Sequence, residues 1–405
     1  MKIAVIGAGL TGLRCAMELK EFAKIKVFEK LSVGGLLSSF CNGYCIEKFY
    51  HHAFKSDTEL IKLIGKFGLK SKLVWKTVKV GIAKNGKIYS LSTPLEILKY
   101  PHMSLIDKLK LAIFTIKSRK RDFEKFDEFN AIESIRNELG SSLLENFFMP
   151  MLKAKFGENA SDVSFAWLLA RVAIRSNRKL GGEEIGYLRH GFHQLLEKMC
   201  EDIEIINKDA RIKLEGKWTV NGEDFDAIVF TAPLPELGDL KDKLGIPEIR
   251  YQSSICALIS LKKSISDIYW LNVEGASFGA IIEHTNFMPF EDYGEHLVYL
   301  ASYTMPDSEF FRASDSELEK LFLKDLEKFG VKRGDLNWIK IFRAKFSSPI
   351  YEKGFLKKIT PYRVANGFYI AGMTSRPNYP ERSMNGSLLA GKEVAEILRK
   401  DFGLI

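Results

Sequence analysis

The alternation of apolar and polar positions predicts a strand, a helix and a second strand within the first 30 residues. The apolar run KIAVI is followed by the glycine-rich GAGLTG, by LRCAMELKEFA with helical spacing, and by KIKVFEK. Short apolar runs next to turn residues are typical of buried strands, and apolar residues three and four positions apart are typical of a helix. We therefore expect a βαβ unit at the start of the chain.

Helical periodicity dominates the next part of the chain, and strand-like runs dominate the second half. Helices are predicted at 59–69, 104–126, 131–148 and 318–329, and strands at 226–233, 254–262, 276–284 and 296–303. The chain closes with the strand-like GFYIAGM and the helical NGSLLAGKEVAEILRK. This order predicts an α/β fold, α+β overall, in which a mixed sheet and a helical insertion accompany the first unit.

Composition narrows the class of protein only moderately. The chain has 405 residues, 46% of them hydrophobic and 27% charged, as in ordinary globular proteins of two or three domains. Its first residues lack the features of a secretory signal, and no apolar run is long enough to cross a bilayer. The net charge of +9 is compatible with a nucleotide, a membrane surface or a nucleic acid as partner.

The cysteines predict neither a disulfide framework nor a metal site. There are five, an odd number, scattered at 15, 41, 45, 200 and 256 without a CxxC pair. We therefore expect reduced thiols, a cytoplasmic protein and no metal.

The glycine-rich turn carries the clearest chemical signal. Gly7, Gly9 and Gly12 form GxGxxG between a strand and a helix, the arrangement in which a pyrophosphate approaches the backbone at the helix N-terminus. Glu29 ends the second strand 20 positions after Gly9, where a carboxylate would accept hydrogen bonds from an adenosine ribose. The pattern predicts a dinucleotide with an unphosphorylated ribose, NAD or FAD.

Two further motifs favour FAD. A second glycine turn, VGGLLSS, follows Glu29, and the late GFYIAGM precedes a helix. Together with GxGxxG, these motifs resemble those of the flavin amine oxidase superfamily, which includes protoporphyrinogen oxidases, phytoene desaturases and UDP-galactopyranose mutases. The segment IEKFYHHAFKSD is similar to a bacterial and archaeal branch related to protoporphyrinogen oxidase.

The resemblance implies a Rossmann-like FAD-binding domain assembled from 1–70, 181–240 and 350–405. A discontinuous substrate domain of mixed sheet and helices would occupy 71–180 and 241–349, with a helical subdomain near 94–180. It also implies that the cofactor contacts come from the two glycine turns, the end of DAIVFTAP, the late glycine and the start of the last helix. These residues are Gly7, Ala8, Gly9, Leu10, Thr11, Gly12, Glu29, Lys30, Gly34, Gly35, Leu36, Leu37, Thr231, Ala232, Gly372, Met373, Arg382 and Met384.

The sequence also departs from that family. Leu36 stands where many relatives have an arginine, and Met373 where an acidic residue is common, so phosphate contacts are expected from Arg382 or backbone amides. No cysteine follows Cys256, which predicts a noncovalent FAD. A second GxGxxG is missing, so the electron acceptor is left open among oxygen, a quinone, a carrier and a transient ligand.

The expected reaction is transfer of a hydride from a substrate C–H bond to FAD, with the protein supplying orientation and exclusion of water. Candidate catalytic residues are Tyr50, His51, His52 and Tyr379, which could shape the pocket or move a proton. In an extended segment His51 and His52 point to opposite faces, which disfavours a shared metal. We expect one to face the pocket and the other to pack or pair with the backbone.

Two other functions are left open. A UDP-galactopyranose mutase-like enzyme would use Arg171, Arg175, Arg178 or Arg189 to bind a nucleotide sugar, although a solvated helical face is the favoured interpretation of these arginines. The second function left open is that of a non-catalytic flavoprotein. Nucleic acid is not an expected partner, because basic and acidic residues are interspersed and no binding motif accompanies them.

A membrane surface is the remaining candidate partner. In 104–126 the apolar Leu105, Leu109, Ile113 and Ile116 share one helical face, and a basic cluster follows it at 117–121. Peripheral attachment to an anionic membrane would suit a hydrophobic small-molecule substrate. The alternative is a surface helix packed on its own domain.

Overall fold

The computed structural model describes residues 1–84, 86–175, 178–179 and 182–404, and the helices and strands named here lie in that part of the chain. The α-helices are α1 Leu10–Leu19, α2 Thr58–Lys66, α3 Pro94–Lys99, α4 Leu105–Ser118, α5 Ala131–Leu139, α6 Ser141–Leu143, α7 Met149–Phe156, α8 Phe165–Arg175, α9 His193–Cys200, α10 Leu240–Lys243, α11 Glu309–Arg312, α12 Asp315–Leu326 and α13 Met384–Asp401.

The strands fall into several sheets. They are β1 Lys2–Ile6, β2 Lys24–Glu29, β3 Ser39–Cys41, β4 Cys45–Glu47, β5 Leu73–Val78, β6 Val80–Lys84, β7 Lys87–Ser90, β8 Arg178–Lys179, β9 Gly182–Leu188, β10 Glu204–Asn207, β11 Ile212–Glu215, β12 Lys217–Val220, β13 Glu223–Phe225, β14 Ala227–Phe230, β15 Tyr251–Leu261, β16 Trp270–Val273, β17 Ala280–Glu283, β18 His296–Thr304, β19 Leu336–Pro349, β20 Arg363–Ala365 and β21 Phe368–Ile370.

The first sheet contains the predicted βαβ unit. Its order is β10-β2-β1-β14-β21-β20, parallel except for the edge strand β20. Strands β1, β14 and β21 are almost completely buried, because helices and the rest of the molecule cover both faces of a parallel sheet. All six strands come from within 1–70, 181–240 and 350–405.

A second sheet of order β19-β15-β18-β17-β16-β6-β7 is antiparallel except where β16 and β6 pair. Its strands come from within 71–180 and 241–349, the ranges expected for a substrate domain. A small sheet, β5-β9-β8, pairs 73–78 with 182–188 and so connects the two sets of ranges.

The long helices expected at 104–126 and 131–148 are shorter than the periodicity indicates. Helix α4 ends at Ser118, and a separate 3₁₀ turn covers Phe123–Phe126. Helix α5 ends before Gly140, whose φ of 94° lies outside the helical region, and α6 and a π-helical turn then cover the rest. The apolar spacing continues through both breaks, which is why periodicity alone could not find them.

The expectation that all cysteines are reduced is wrong for two of them. Cys41 and Cys45 form a disulfide with a Cα–Cα distance of 4.1 Å. They face each other across the β3–β4 hairpin, and this close pairing brings their side chains together. Cys15, Cys200 and Cys256 are free thiols. Because two cysteines form a disulfide, the cysteine content does not support the expectation of a reducing compartment.

Across the described ranges we find no helix with the length and apolarity required to cross a bilayer.

Candidate functional site

The first glycine turn lies at the carboxyl ends of β1 and β2. Gly7 adopts a φ of 102° and donates its N–H to Phe28 O at 2.8 Å, and α1 starts directly after Gly9. A Cβ at Gly12 would lie 1.9 Å from Gly7 O, so α1 packs against the turn only because residue 12 has no side chain. Gly9, by contrast, has no atom near its Cβ position. The turn is closed on its packing side and open at Gly9.

The second glycine turn lies against the first. Gly34 donates its N–H to Ala8 O at 2.8 Å and forms an isolated parallel bridge with Gly9. Gly34 and Gly35 both have positive φ, which glycine adopts without strain. The two turns together form a backbone surface that lines the cavity and has open space at Gly9.

Glu29 borders this surface with both carboxylate oxygens engaged. One accepts the Ala8 N–H at 2.8 Å and the other the Leu31 N–H at 2.8 Å. Each carboxylate oxygen has a second lone pair for a ligand hydroxyl. The neighbouring Lys30 pairs with Glu236. The position suits the expected ribose contact, which stays a prediction.

The surface is extended by the end of β14 and by residues 372–384. The Thr231 hydroxyl donates to Ile6 O at 2.8 Å, which fixes the end of β14 to the first turn. Gly372 follows β21, and its N–H donates to Ser375 Oγ at 3.0 Å. Helix α13 begins at Met384, as the sequence predicts, with the Ser383 hydroxyl accepting the Gly386 N–H.

A cavity of about 1350 Å³ connects these elements, which exceeds the roughly 300–1,000 Å³ of typical ligand pockets. Most of the predicted site residues line it: Gly7, Gly9, Leu10, Thr11, Glu29, Lys30, Gly34, Gly35, Leu36, Leu37, Tyr50, His51, His52, Thr231, Ala232, Gly372, Met373, Arg382 and Met384. Beyond them the wall is largely apolar, with Ile82, Met103, Phe147, Trp270 and Phe342.

Three predicted residues lie outside the cavity lining. Ala8 and Gly12 act within the turn, as described above. Tyr379 stacks on Phe355, and its hydroxyl donates to Asp127 Oδ1 at 2.7 Å. This places the Tyr379 hydroxyl away from the cavity and gives the residue a packing role.

His51 pairs with the backbone and also borders the cavity. Its Nδ1 lies 2.7 Å from Phe49 O, and because a carbonyl only accepts, Nδ1 carries the proton. Burial lowers the pKa of His51 to about 4 despite that bond. At neutral pH the ring is therefore uncharged, and Nε2 is left as an acceptor.

His52 has different partners. Its Nδ1 lies 3.3 Å from the Tyr269 hydroxyl, and its ring packs edge-on against Phe54 and Trp270. His52 also lines the cavity, so both histidines border it, instead of only one as expected. Among the residues described by the structure, no group of three His, Cys, Asp or Glu side chains is placed to hold a metal.

A cationic cluster of Lys155, Arg171 and Arg382 lies on the cavity wall, and Lys155 is the member that the sequence did not predict. Lys155 Nζ lies 4.7 Å from the centre of the Tyr303 ring, and the Tyr303 and Tyr50 hydroxyls are 2.5 Å apart. Arg171 Nη1 pairs with Glu381 at 3.1 Å. The one sequence signal for Lys155 was its position near two apolar residues of α7, Leu152 and Phe156.

Burial and like charges change the titration of this cluster. Burial lowers the pKa of Lys155, and Arg171 and Arg382 act in the same direction. Burial alone would raise the pKa of Tyr303, but Lys155 and the Tyr50 hydrogen bond lower it below the usual value. Three basic groups here face two carboxylates, Glu381 and Glu183, and this excess of basic groups favours an anionic ligand.

The other arginines named from the sequence lie elsewhere. Arg189 pairs with Asp292 at 2.5 Å and does not line the cavity. The side chains of Arg175 and Arg178 fall outside the described residues. The interpretation of these arginines as one solvated helical face is wrong for Arg171, whose guanidinium borders the cavity.

Comparison with known proteins identifies the family. Residues 10–399 match the family described as flavin containing amine oxidoreductase. The chain belongs to that family. It is a flavin-containing oxidoreductase, and the glycine turns, Glu29 and the start of α13 fit a flavin cofactor because they line one cavity in which the backbone at Gly9 has open space.

Individual relatives have low sequence identity to this chain but match most of its length. Mitochondrial protoporphyrinogen oxidase of Nicotiana tabacum is 22% identical over 440 residues, covering 86% of this chain and 85% of its own length. A solved structure from Exiguobacterium sp. 255-15, provisionally assigned as a protoporphyrinogen oxidase, matches with a TM-score of 0.79 at 18% identity and 99% coverage of both chains. Reduced UDP-galactopyranose mutase matches with a TM-score of 0.75 at 17% identity, covering 100% of this chain and 96% of its own. These structural matches support the α/β fold of this flavin oxidoreductase.

The pKa of His51 leads to a testable pH dependence of stability. An unfolded histidine titrates near 6.5, whereas folded His51 titrates near 4. The unfolded state therefore binds more protons between these values, so stability falls as pH decreases from about 6.5 to about 4, by up to about 1.4 kcal/mol per pH unit. The measurement is the free energy of unfolding of the apoprotein across this range.

His51→Gln is the matched variant. Its free energy of unfolding should depend less steeply on pH, by the uptake of up to one proton, since the other histidines are unchanged. An unchanged slope in His51→Gln would show that His51 is protonated equally in both states.

Proposed function

We propose that this protein is an FAD-dependent oxidoreductase that takes a hydride from a C–H bond of an apolar substrate. The observation that supports this most directly is the continuity of one cavity from the glycine turns to an apolar compartment. A dinucleotide held at the turns and a substrate in the apolar part would share one water-poor space.

Each part of the cavity lining would have a distinct role. The backbone at Gly9, Gly34 and Gly372 would hold the pyrophosphate, and Glu29 would accept hydrogen bonds from the ribose. FAD, when bound, would supply the hydride acceptor. The N-terminus of α13, near Arg382, would favour negative charge on the reduced cofactor.

The apolar lining would position the substrate and exclude water. His51 Nε2 would accept a hydrogen bond from a substrate N–H or O–H, and its low pKa suits acceptance better than proton donation. The adjoining Trp270 and Tyr50 rings, 5.0 Å apart and nearly perpendicular, would bound the substrate on one side.

We propose that the FAD is noncovalent. Cys256 is the one free cysteine among the residues lining the described part of the cavity, and it lies on the buried strand β15. Burial raises the pKa of Cys256 well above its usual value, which keeps the thiol protonated and a poor nucleophile. After reconstitution with FAD, denaturation should release all of the flavin into a filtrate. Flavin retained on the polypeptide would contradict this proposal.

The activity is tested by anaerobic reduction of the bound cofactor. The visible absorbance of oxidised FAD is followed while amines, polyprenyl compounds, porphyrinogens and UDP-sugars are added in turn. Bleaching by a neutral apolar compound is the expected result. Protein that fails to retain FAD after reconstitution would overturn the proposal.

The cationic cluster favours a second candidate, a non-redox flavoenzyme acting on a nucleotide sugar. Lys155, Arg171 and Arg382 provide positive charge for a diphosphate within the same cavity. Isomerisation of a UDP-sugar that requires pre-reduced flavin, without net bleaching, would favour this candidate over the first.

Lys155→Met separates the two candidates. Removal of one of three cations should weaken binding of UDP by about tenfold and leave bleaching by a neutral substrate largely unchanged. UDP binding is measured by ultrafiltration with the FAD-loaded protein. Arg189→Met, which removes a cation outside the cavity, is the matched control and should bind UDP like the wild type.

A further inference from the structure

Helices α3 and α4 present an unusually apolar outer surface. Seven side chains, each between 45% and 73% exposed, form what we call the apolar face: Leu95, Leu98, Leu105, Ile106, Leu109, Ile113 and Ile116. On α4 they recur at three- and four-residue intervals along one side, whereas Phe114 and Ser118 on the other side are buried. Soluble proteins rarely leave such a contiguous group in water.

The apolar face is a fixed part of the structure. Capping boxes at Thr93 and Ser104 start the two helices, and Lys108 Nζ donates to Leu98 O at 2.7 Å across them. Lys110 Nζ in turn donates to Leu139 O at 3.2 Å. The helices are therefore held to each other and to the rest of the protein while their apolar side chains stay exposed.

The helices that carry the apolar face have a net positive charge, although Arg121 pairs with Glu138 outside them. The segment 94–121 has seven lysines and arginines against two acids, Glu96 and Asp107. Both acids are engaged in capping, and Asp107 also accepts a hydrogen bond from Ser142 at 2.8 Å. Exposed Lys99, Lys117 and Lys120 lie at the ends of the two helices. An apolar surface with basic ends complements anionic lipid headgroups above acyl chains.

The apolar face is also continuous with the cavity. Leu98, Leu105, Leu109 and Ile116 are exposed and at the same time line the cavity. Its opening is therefore bordered by the side chains that would enter a lipid interface.

We propose that α3 and α4 dock this protein on an anionic membrane, with the cavity opening toward the lipid. A hydrophobic substrate would then pass from the bilayer into the cavity without crossing water. Docking itself is independent of the proposed function, whereas this route for the substrate rests on it.

The test uses the full chain loaded with FAD and flotation with lipid vesicles. Vesicles of phosphatidylcholine alone are compared with vesicles containing about one-third phosphatidylglycerol, at about 0.05 M and about 0.5 M salt. We expect at least about tenfold stronger binding to the anionic vesicles at low salt. Equal binding to both compositions, or binding to neither, would overturn the proposal.

Ile106→Glu/Ile113→Glu tests the apolar face, because both residues are exposed and neither lines the cavity. The double variant should lose at least about tenfold in vesicle binding while it retains FAD and its far-ultraviolet circular dichroism. Leu214→Glu/Leu321→Glu, at exposed apolar positions on β11 and α12, is the matched control and should bind like the wild type. An equal loss in both variants would contradict docking through α3 and α4.

Light scattering separates a membrane from a second copy of the chain. A stable dimer that Ile106→Glu/Ile113→Glu converts to a monomer would show that another protein molecule covers the face, and would overturn the proposal. Vesicle binding that succeeds while the flavin is not reduced by any apolar compound would sustain docking and reject the proposed function.

Discussion

Gly12→Ala is expected to destabilise the apoprotein by about 1–3 kcal/mol or more. The added Cβ would lie 1.9 Å from Gly7 O and 2.7 Å from Thr231 Oγ1, and the backbone oxygen can move only if α1 shifts away from β1. The measurement is the free energy of unfolding in denaturant without FAD. Gly65→Ala is the matched control, since that position lies in α2 with no atom near its Cβ, and it should be neutral or slightly stabilising.

Gly9→Ala, in contrast, should weaken cofactor binding without lowering the stability of the apoprotein. Gly9 has extended backbone angles that alanine can adopt, and its Cβ would meet no protein atom, so stability of the apoprotein should be preserved. A methyl group there would occupy the space that a pyrophosphate needs, and affinity for FAD should fall by at least about tenfold. If Gly9→Ala bound FAD like the wild type, the proposed position of the pyrophosphate would be wrong.

Glu47→Ala is expected to destabilise the protein by about 2–5 kcal/mol. Glu47 is only 1% exposed, and its carboxylate accepts the Tyr187 hydroxyl at 2.6 Å and the Phe192 N–H at 2.5 Å. Its main-chain oxygen also accepts the Tyr299 hydroxyl at 2.6 Å. Alanine would leave two buried donors without an acceptor, and unfolding in denaturant measures the cost.

Glu47→Gln is the corresponding conservative variant. Its amide oxygen can still accept the Phe192 N–H, so it should cost less than half as much as alanine. Equal losses below about 1 kcal/mol for both variants would show that these hydrogen bonds contribute little to stability. Because Glu47 ends the strand that leads to Tyr50 and His51, a large loss would also mean that this segment depends on a buried carboxyl for its position.

The elements around the glycine turns could be predicted from sequence because their signals are local. The turn GAGLTG, Glu29 and the start of α13 each depend on a few adjacent residues, and the structure brings them to one cavity. The predicted ends of α4 and α5 were wrong because apolar spacing does not indicate where a helix ends. Gly140 was the available sign of the break in the second of them.

The cationic cluster was only partly predictable because it depends on long-range packing. Lys155 on α7 and Tyr303 on β18 meet although 147 residues separate them along the chain, and no local motif predicts their contact. Tyr379 shows the reverse case, since it lies close in sequence to α13 but bonds Asp127 instead of entering the cavity. Proximity to a motif does not determine which way a side chain points.

The sheet that holds the glycine turns is completed only by β21, and the cavity only by residues at the start of α13. Most of the described sequence lies between the βαβ unit and β21, so during synthesis the sheet cannot be completed until β21 has been made. A chain that stops before residue 350 contains GxGxxG and Glu29 but lacks the far wall of the cavity. Retention of the flavin would therefore report that β21 and α13 are present and folded, and only molecules that contain them would gain the stability that a bound cofactor confers.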